Sequence, residues 1–183
     1  VNLIGARVTI LGGGGITESL VRLLAPFRAR ISVVRRSAAS MVGVDRVVGP
    51  DGQADLLPET DLLILALALT PETEGIIGTA ELAALPDTAW LVNVARGGHI
   101  RTDALVDALA SGAIGGAGLD VVDPEPLPEG HPLWTEPRCL LTPHIGNTPR
   151  MAVPLLSARI TENVRRFGAG EPLLGLVDPD AGY

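Results

Sequence analysis

Cysteine and positive charge are both scarce in this sequence. The single cysteine, Cys139, excludes an intrachain disulfide framework and is typical of proteins from a reducing cytoplasm. The 14 Lys and Arg residues are outnumbered by 21 Asp and Glu residues, and the net charge of -7 argues against broad binding to nucleic acids or anionic membranes. The longest apolar run, Leu62 to Leu69, is far too short to span a bilayer.

No secretory signal is visible, because the given sequence does not start with a basic segment followed by an apolar one. We therefore expect a cytoplasmic protein with no nucleic-acid or membrane partner, and we predict no metal site. The chain begins at Val1 and reaches its first predicted strand within a few residues, so we expect it to be a fragment. Hydrophobic residues make up 46% of the 183, which is sufficient for one domain with a large core.

A glycine-rich turn follows the first apolar run. That run ends at Leu11, breaks into Gly12–Gly15 and continues as a helical pattern, which predicts a strand, a turn and a helix. Free backbone N–H groups and the positive end of the helix favour a phosphate at such a turn. Gly12 and Gly14 occupy the first two positions of the dinucleotide-binding pattern G-x-G-x-x-G, whereas Thr17 takes the third and should space the helix slightly further from the strand. A plain flexible turn is the alternative.

Strand and helix patterns alternate along the rest of the chain. Further strands are predicted at 31–34, 46–48, 61–67, 90–94, 116–122 and 139–141. Helices are predicted at 16–24 with Ile16, Leu20, Leu23 and Leu24 on the packed face, at 79–85 capped by Thr79, at 103–110 capped by Thr102, and at about 148–167, where Pro154 should kink or restart the helix. The alternation predicts an α/β protein with a doubly wound, Rossmann-like parallel sheet, forming one dinucleotide-binding domain over residues 1–183.

Four stretches near predicted strand ends are specific when taken together: LALTPET (67–73), LVNVARGG (91–98), GLDVVDPEPLP (118–128) and LTPHIGNTP (141–149). In this order they resemble the cofactor-binding domain of the D-isomer-specific 2-hydroxyacid dehydrogenases, from about Val8 to Phe167. The resemblance implies an NAD(P)-dependent oxidoreductase that interconverts a small 2-keto acid and its D-2-hydroxy acid by hydride transfer. That family carries its substrate-carboxylate loop in a separate domain, to which nothing in this sequence corresponds, so we expect only the cofactor-binding part here.

The same resemblance implies the catalytic residues. Arg96 would hold the substrate's carbonyl and carboxylate, His144 would be the general acid/base, Glu125 would pair with His144, and Asp120 would lie near the nicotinamide carboxamide. The chemistry asks for these residue types, because negative charge grows on the carbonyl oxygen and a neighbouring carboxylate favours the charged imidazolium. Formate dehydrogenase is similar too but has glutamine where Glu125 stands, so the glutamate favours 2-keto or 2-hydroxy acids.

The remaining two histidines receive no role. His99 is expected on a surface turn and His131 in the loop before Pro132. A stand-alone dinucleotide-binding sensor without turnover is the alternative function, which a missing substrate domain favours and the three catalytic residues oppose. By resemblance to the family we also predict a homodimer, with the loop around Trp134 as a candidate contact; the alternative is that Trp134 packs under its own loop.

The end of the second predicted strand indicates the cofactor. NAD-preferring domains place an acidic residue there for the ribose 2'-hydroxyl, but this sequence has Arg35, Arg36 and Ser37. Two guanidinium groups and a hydroxyl suit a 2'-phosphate, so we expect NADP(H) in preference to NAD(H) unless both arginines are solvated surface charges. The residues expected to bind the cofactor are Gly12, Gly14, Gly15, Ile16, Arg35, Arg36, Ser37, Thr70, Ala95 and Asp120.

Overall fold

A parallel β-sheet dominates the fold. The computed structural model describes residues 2–37 and 39–177, and these form a seven-stranded sheet of order β3-β2-β1-β4-β5-β6-β7 in which every adjacent pair is parallel. The strands are β1 Arg7–Leu11, β2 Arg30–Val34, β3 Arg46–Val48, β4 Leu62–Leu65, β5 Trp90–Asn93, β6 Gly116–Leu119 and β7 Cys139–Leu141. The predicted Rossmann-like α/β fold is confirmed.

The central strands are buried on both faces, as their uninterrupted apolar sequence requires. All four residues of β4 are buried, and Ile10 of β1 lies in register between Val33 of β2 and Ile64 of β4. A charged pair holds the amino ends of these strands together. The Asp61 carboxylate accepts hydrogen bonds from the Arg7 backbone N–H at 2.8 Å and from its guanidinium at 2.7 Å. These bonds lower the pKa of Asp61.

Five α-helices accompany the strands within the described residues. They are α1 Gly15–Leu24, α2 Gln53–Leu56, α3 Thr79–Ala84, α4 Thr102–Ser111 and α5 Pro149–Ala169. The face of α1 that packs on the sheet carries Thr17, Val21 and Leu24. The predicted face was therefore wrong at Ile16 and Leu23, which are 52% and 68% exposed. Thr17 can take the buried position because its hydroxyl finds a backbone acceptor nearby, described below.

Two predicted helix caps were also wrong. Helix α3 is capped from Gly78, whose backbone N–H donates to the Glu81 carboxylate at 2.9 Å, and Thr79 is already its first residue. Thr102 is likewise inside α4, and its hydroxyl donates to the Asp123 carbonyl at 2.6 Å. A threonine hydroxyl with a carbonyl acceptor within reach is not available to cap its own helix.

The chain divides into two compact units, the first ending at Pro143 and the second starting at His144. The second unit contains α5, which begins after Thr148 as predicted and continues through Pro154 without restarting. Its Glu162 accepts hydrogen bonds from Arg165 and Arg166, and these bonds lower the pKa of Glu162 to about 2. Within the described part of the chain, neither α5 nor any other helix has the length and apolarity needed to cross a membrane.

Candidate active site

The strand order reverses between β1 and β4. From β1 the chain continues outward to β2 and β3, and then returns to β4 on the other side of β1. Ligands of open α/β sheets bind at the carboxyl ends of the strands, next to this reversal. The predicted cofactor residues follow those strand ends: Gly12–Ile16 after β1, Arg35–Ser37 after β2, Thr70 after β4, Ala95 after β5 and Asp120 after β6.

The glycine turn after β1 is shaped by close backbone packing on one side and open space on the other. Gly12 has φ +111°, and a Cβ on it would overlap the Ala66 carbonyl, so only glycine fits there. A Cβ on Gly14 or on Gly15 would meet no atom within 4 Å beyond the neighbouring residues of the turn and helix α1 itself. The backbone at the start of α1 therefore faces free space, in which a phosphate group could approach it closely.

Thr17, in the third position of the glycine pattern, stabilises this turn. Its side chain is fully buried and its hydroxyl donates to the Gly12 carbonyl at 2.8 Å. The threonine therefore ties the first turn of α1 back to the first glycine, and its polar atom is satisfied without a ligand.

Arg35 lies beside the glycine turn, at the position where NAD-preferring domains have a carboxylate. A Cβ on Gly13 would stand 2.7 Å from Cδ of Arg35, so the Arg35 side chain crosses directly over this glycine. The Arg35 backbone N–H donates to the Val48 carbonyl at 3.0 Å, which fixes the tip of β2 on β3. Arg36 and Ser37 follow and are exposed. The tip of β2 is therefore cationic, as predicted.

The loop after β4 is closed by its own threonines. The Thr73 hydroxyl donates to the Ala68 carbonyl at 2.8 Å and accepts the Thr70 backbone N–H at 2.8 Å. The Thr70 hydroxyl donates to the Glu72 carboxylate at 2.7 Å. This bond, the backbone N–H of Glu72 and the charge of Arg36 lower the pKa of Glu72. The β2 tip and the β4 loop thus place opposite charges close enough to interact.

The turn after β5 is held from inside by Asn93. This residue is fully buried, its carboxamide N–H donates to the Arg96 carbonyl at 2.8 Å, and its carboxamide oxygen accepts the Ala95 backbone N–H at 3.0 Å. The Arg96 side chain is exposed, and its guanidinium donates to the Ala95 carbonyl at 2.6 Å. The fixed backbone therefore presents the Arg96 cation at the carboxyl edge of the sheet.

The loops after β5 and β6 pack directly on each other. A Cβ on Gly97 would overlap the Val122 carbonyl, so glycine is required for this contact. Beyond β6, the Val122 backbone N–H approaches the Glu125 carboxylate at 3.5 Å, and the Asp120 carboxylate accepts the Thr142 hydroxyl at 2.6 Å. The predicted residues Arg96, Asp120 and Glu125 therefore stand on adjoining loops of one unit.

His144, the remaining predicted catalytic residue, begins the second unit. It is exposed and has φ +53°, a left-handed conformation that a residue with a Cβ seldom adopts. Such backbone conformations cluster at functional positions. Its pairing with Glu125 stays a prediction. In the ranges 2–37 and 39–177, no three His, Cys, Asp or Glu side chains are grouped so that they could hold a metal ion.

Comparison with known proteins identifies the family. Residues 1–146 match the family described as "D-isomer specific 2-hydroxyacid dehydrogenase, NAD binding domain". The chain belongs to the D-isomer-specific 2-hydroxyacid dehydrogenases. The family resemblance predicted from the four sequence stretches is therefore confirmed, and the residues that match include the glycine turn, the Arg96 turn and His144.

Curated relatives of this 2-hydroxyacid dehydrogenase domain are longer than the chain itself. A glyoxylate/hydroxypyruvate reductase A from Klebsiella pneumoniae is 38% identical over 176 residues, which are 96% of this chain and 56% of the relative. An uncharacterised protein from Corynebacterium melassecola is 42% identical over 176 residues, again 96% of this chain and 58% of the relative. The chain thus spans a little over half the length of these relatives.

Two solved structures of 2-hydroxyacid dehydrogenases superpose on the whole chain. One, from Xanthobacter autotrophicus, was determined with NADPH and MES; it has a TM-score of 0.89 and 38% identity, and the match covers 100% of this chain and 75% of that one. The other is an NADPH-dependent glyoxylate/hydroxypyruvate reductase from Sinorhizobium meliloti with NADP and sulfate. It has a TM-score of 0.92 and 31% identity, and the match covers 100% of this chain and 58% of that one.

Asn93 and His99 are buried polar residues beside Arg96 that carry no role in the sequence analysis. Asn93 is the one polar residue of the otherwise apolar strand β5. A polar residue in a buried strand could have indicated from sequence that its side chain has a specific partner. His99 was expected on a surface turn, and that expectation was wrong because the residue is fully buried. Its partners lie on a distant segment of the chain, so no local pattern could have indicated its position.

Proposed function

We propose that this chain is the cofactor-binding part of an NADPH-dependent reductase that converts small 2-keto acids, of the glyoxylate and hydroxypyruvate class, into D-2-hydroxy acids. The relatives named for that activity support the proposal, as does the presence of Arg96, Glu125 and His144 at the positions that the family resemblance assigns to catalysis. We further propose that a separate substrate domain completes the enzyme, because the chain spans only 56% of the Klebsiella reductase. The alternative of a sensor module has no support in these relatives.

The position of Arg35 over Gly13 carries the choice of cofactor. The site fits a dinucleotide phosphate, because the backbone at Gly14 and Gly15 borders free space at the positive end of α1. A guanidinium beside that space favours a 2'-phosphate through charge-assisted hydrogen bonds. We therefore propose NADP(H) as the preferred cofactor, with Arg36 and Ser37 contributing to the same end of the site and NAD(H) as a weaker ligand.

Each catalytic side chain has a defined task in this proposal. A bound NADPH supplies the hydride. Arg96 stabilises the negative charge that grows on the carbonyl oxygen, because a fixed cation is most effective where charge develops. His144 donates the proton to that oxygen, and Glu125 favours the imidazolium form that can do so.

Titration of the chain with both reduced cofactors tests the proposed preference for NADP(H). We expect NADPH to bind more tightly than NADH. Equal affinities, or tighter binding of NADH, would contradict the assigned cofactor. The chain alone should turn over glyoxylate poorly, because the substrate carboxylate and the exclusion of water depend on the proposed second domain.

Steady-state kinetics of the complete protein test the tasks proposed for His144 and Glu125. His144→Ala should lower kcat for glyoxylate and hydroxypyruvate by about 10²- to 10⁴-fold, the usual contribution of a general acid. Glu125→Gln should shift the pH profile of reduction toward lower pH, because the imidazolium loses the carboxylate that favours it. His131→Gln is the matched control, since the His131 ring accepts the Leu133 backbone N–H within its own loop, and it should leave both properties unchanged. Unaltered turnover in His144→Ala would remove His144 from the mechanism.

We also propose a cytoplasmic homodimer, with the loop around Trp134 in the interface. The Trp134 indole N–H donates to the Pro128 carbonyl at 3.0 Å, and yet the residue is 55% exposed. Exposed tryptophan anchored at its polar end is common where proteins associate. Sedimentation of the wild-type chain and of Trp134→Ala at tens of micromolar tests this: the dimer should weaken in the variant, and a monomeric wild type would contradict the proposal for this chain.

A further inference from the structure

His99 is a buried imidazole that the proposed reaction does not use. It lies in the turn that starts at Arg96 and is 0% exposed. Its Nδ1 is 3.0 Å from the Thr73 carbonyl oxygen and its Nε2 is 3.2 Å from the Leu67 carbonyl oxygen. Both ring nitrogens are therefore within hydrogen-bond distance of a backbone acceptor.

The chemistry of these two partners fixes what the imidazole must offer them. A carbonyl oxygen only accepts hydrogen bonds, and a neutral imidazole has one N–H donor and one acceptor nitrogen. In either neutral tautomer one ring nitrogen would turn its lone pair toward a carbonyl lone pair inside the protein. The doubly protonated imidazolium donates to both carbonyls. The charged side chains on the adjoining segments, Glu72, Glu74, Arg96 and Arg101, are all exposed.

The two carbonyls belong to the two ends of one loop. Leu67 and Thr73 bound the segment after β4, and the Thr73 hydroxyl closes that segment by donating to the Ala68 carbonyl at 2.8 Å. Thr70, a proposed cofactor ligand, lies between them. An imidazolium bonded to both ends therefore fixes the whole loop as one body.

His99 itself belongs to the turn that starts at Arg96, and this turn is bonded to the chain that follows the loop 67–73. The His99 backbone N–H donates to the Arg96 carbonyl at 3.3 Å, and the His99 carbonyl accepts the Ile77 backbone N–H at 3.0 Å. The Gly75 backbone N–H also donates to the Gly98 carbonyl at 2.8 Å. The segment after the Thr70 loop and the segment after Arg96 are thus joined by backbone bonds, with His99 at their centre.

We propose that His99 is a positioning residue: as an imidazolium it clamps the loop 67–73 to the Arg96 turn and so sets the cofactor side of the site relative to the substrate side. The clamp itself depends only on the fold. Its consequence for NADPH binding rests on the function proposed above.

Nitrogen-15 NMR of the imidazole rings tests the clamp directly and without any cofactor. The chain has three histidines, and the His99 signals are those that vanish in His99→Gln. We expect both ring nitrogens of His99 to carry a slowly exchanging proton at neutral pH. A single protonated nitrogen, as in a neutral tautomer, would overturn the proposal whether or not the chain binds NADPH.

Amide hydrogen exchange tests the positioning role. In His99→Gln, which retains at most one of the two donors, exchange at residues 67–73 and at 96–99 should become about tenfold faster or more, while β1 and β2 keep the protection of the wild type. His131→Gln is the matched control and should change neither loop. Unchanged exchange at 67–73 in His99→Gln would overturn the clamp, and a loss of protection throughout the sheet would assign His99 to general stability instead.

Binding of NADPH links the clamp to the site. The affinity of His99→Gln for NADPH should fall about tenfold relative to wild type, since the loop that carries Thr70 is no longer held. A wild-type chain that does not bind NADPH would refute the proposed cofactor but not the imidazolium clamp, which the NMR result decides. Wild-type affinity in His99→Gln, together with faster exchange at 67–73, would overturn the positioning role.

Discussion

Arg35 lies across Gly13, with its Cδ 2.7 Å from where a Cβ of that glycine would stand. The cation at the end of β2 and the turn at the start of α1 therefore form one surface. A side chain at Gly13 would displace the arginine, and an arginine replaced by a carboxylate would put negative charge where a 2'-phosphate is proposed to bind. This relationship makes cofactor preference the most direct property to test.

Arg35→Asp should reverse the preference for NADPH over NADH. The loss of charge-assisted hydrogen bonds worth about 1.5–3 kcal/mol corresponds to about 10- to 100-fold weaker NADPH binding, whereas NADH should be affected little. Fluorescence titration of both cofactors measures this. Arg28→Asp is the control with the same charge change. Arg28 precedes the amino end of β2, whereas Arg35 follows the carboxyl end of the same strand. Retained NADPH preference in Arg35→Asp would contradict the role proposed for Arg35.

Gly14→Ala should weaken NADPH binding without unfolding the protein. Apart from the adjacent residues, no protein atom lies within 4 Å of the added Cβ, so the cost to stability should stay below about 1 kcal/mol, the usual penalty for alanine at a helix N-cap. The methyl group would instead occupy the space proposed for the pyrophosphate, and we expect at least about tenfold lower affinity, or about 1.4 kcal/mol.

Gly12→Ala gives the contrast to that variant. Its Cβ would overlap the Ala66 carbonyl, so stability should fall together with affinity. Thermal unfolding and NADPH titration of the two variants separate the cases. Undiminished affinity in Gly14→Ala would place the cofactor phosphates elsewhere.

The sheet could be predicted from sequence because burial of parallel strands on both faces leaves an uninterrupted apolar pattern, as in Leu62–Leu65. The packed face of α1 could not, because buried Thr17 looks polar in sequence and its acceptor, the Gly12 carbonyl, is a backbone atom. Thr102 was misassigned as a cap for a related reason, because its hydroxyl donates to the distant Asp123 carbonyl. Its local sequence fits a cap, and the tertiary partner decides.

In the candidate site, too, some residues could be predicted from sequence and others could not. Arg96 and Glu125 were predicted because short sequence stretches carry them, and the structure places their loops in contact through Gly97. His99 was assigned to the surface because its partners, Leu67 and Thr73, are 32 and 26 residues away. A contact between a side chain and a distant backbone carbonyl leaves no pattern in the sequence.

Asn93→Ala should damage both stability and catalysis. The variant loses the bonds to the Arg96 carbonyl and the Ala95 N–H, which should cost about 2 kcal/mol and lower Tm by roughly 4–8 °C. In the complete enzyme, kcat/KM for the keto acid should fall about tenfold or more, because the Arg96 cation is no longer held in place.

Asn93→Asp is the informative companion variant. Its carboxylate can still accept the Ala95 N–H, but its second oxygen would face the Arg96 carbonyl without a proton between them, in a fully buried position. We expect it to be at least as destabilised as Asn93→Ala. Calorimetry and steady-state kinetics give both values, and wild-type kcat/KM in the two variants would show that Asn93 does not position Arg96.

Asp61→Asn should make the stability of the fold less dependent on pH. The hydrogen bonds from Arg7 lower the pKa of Asp61 from its ordinary value of 3.8, so the folded state favours the ionised carboxyl. The stabilisation is fully present above the unfolded value, near pH 4, and is lost as the pH falls through the lower folded pKa. At neutral pH the variant should be about 1 kcal/mol less stable than wild type, and this difference should shrink steadily below about pH 4.

Urea unfolding between neutral pH and about pH 3 measures this difference in stability. Asp87→Asn, which changes an exposed aspartate in the turn before β5, is the control and should follow wild type. A wild type and an Asp61→Asn variant that lose stability in parallel below pH 4 would show that the Arg7–Asp61 pair adds nothing to acid stability.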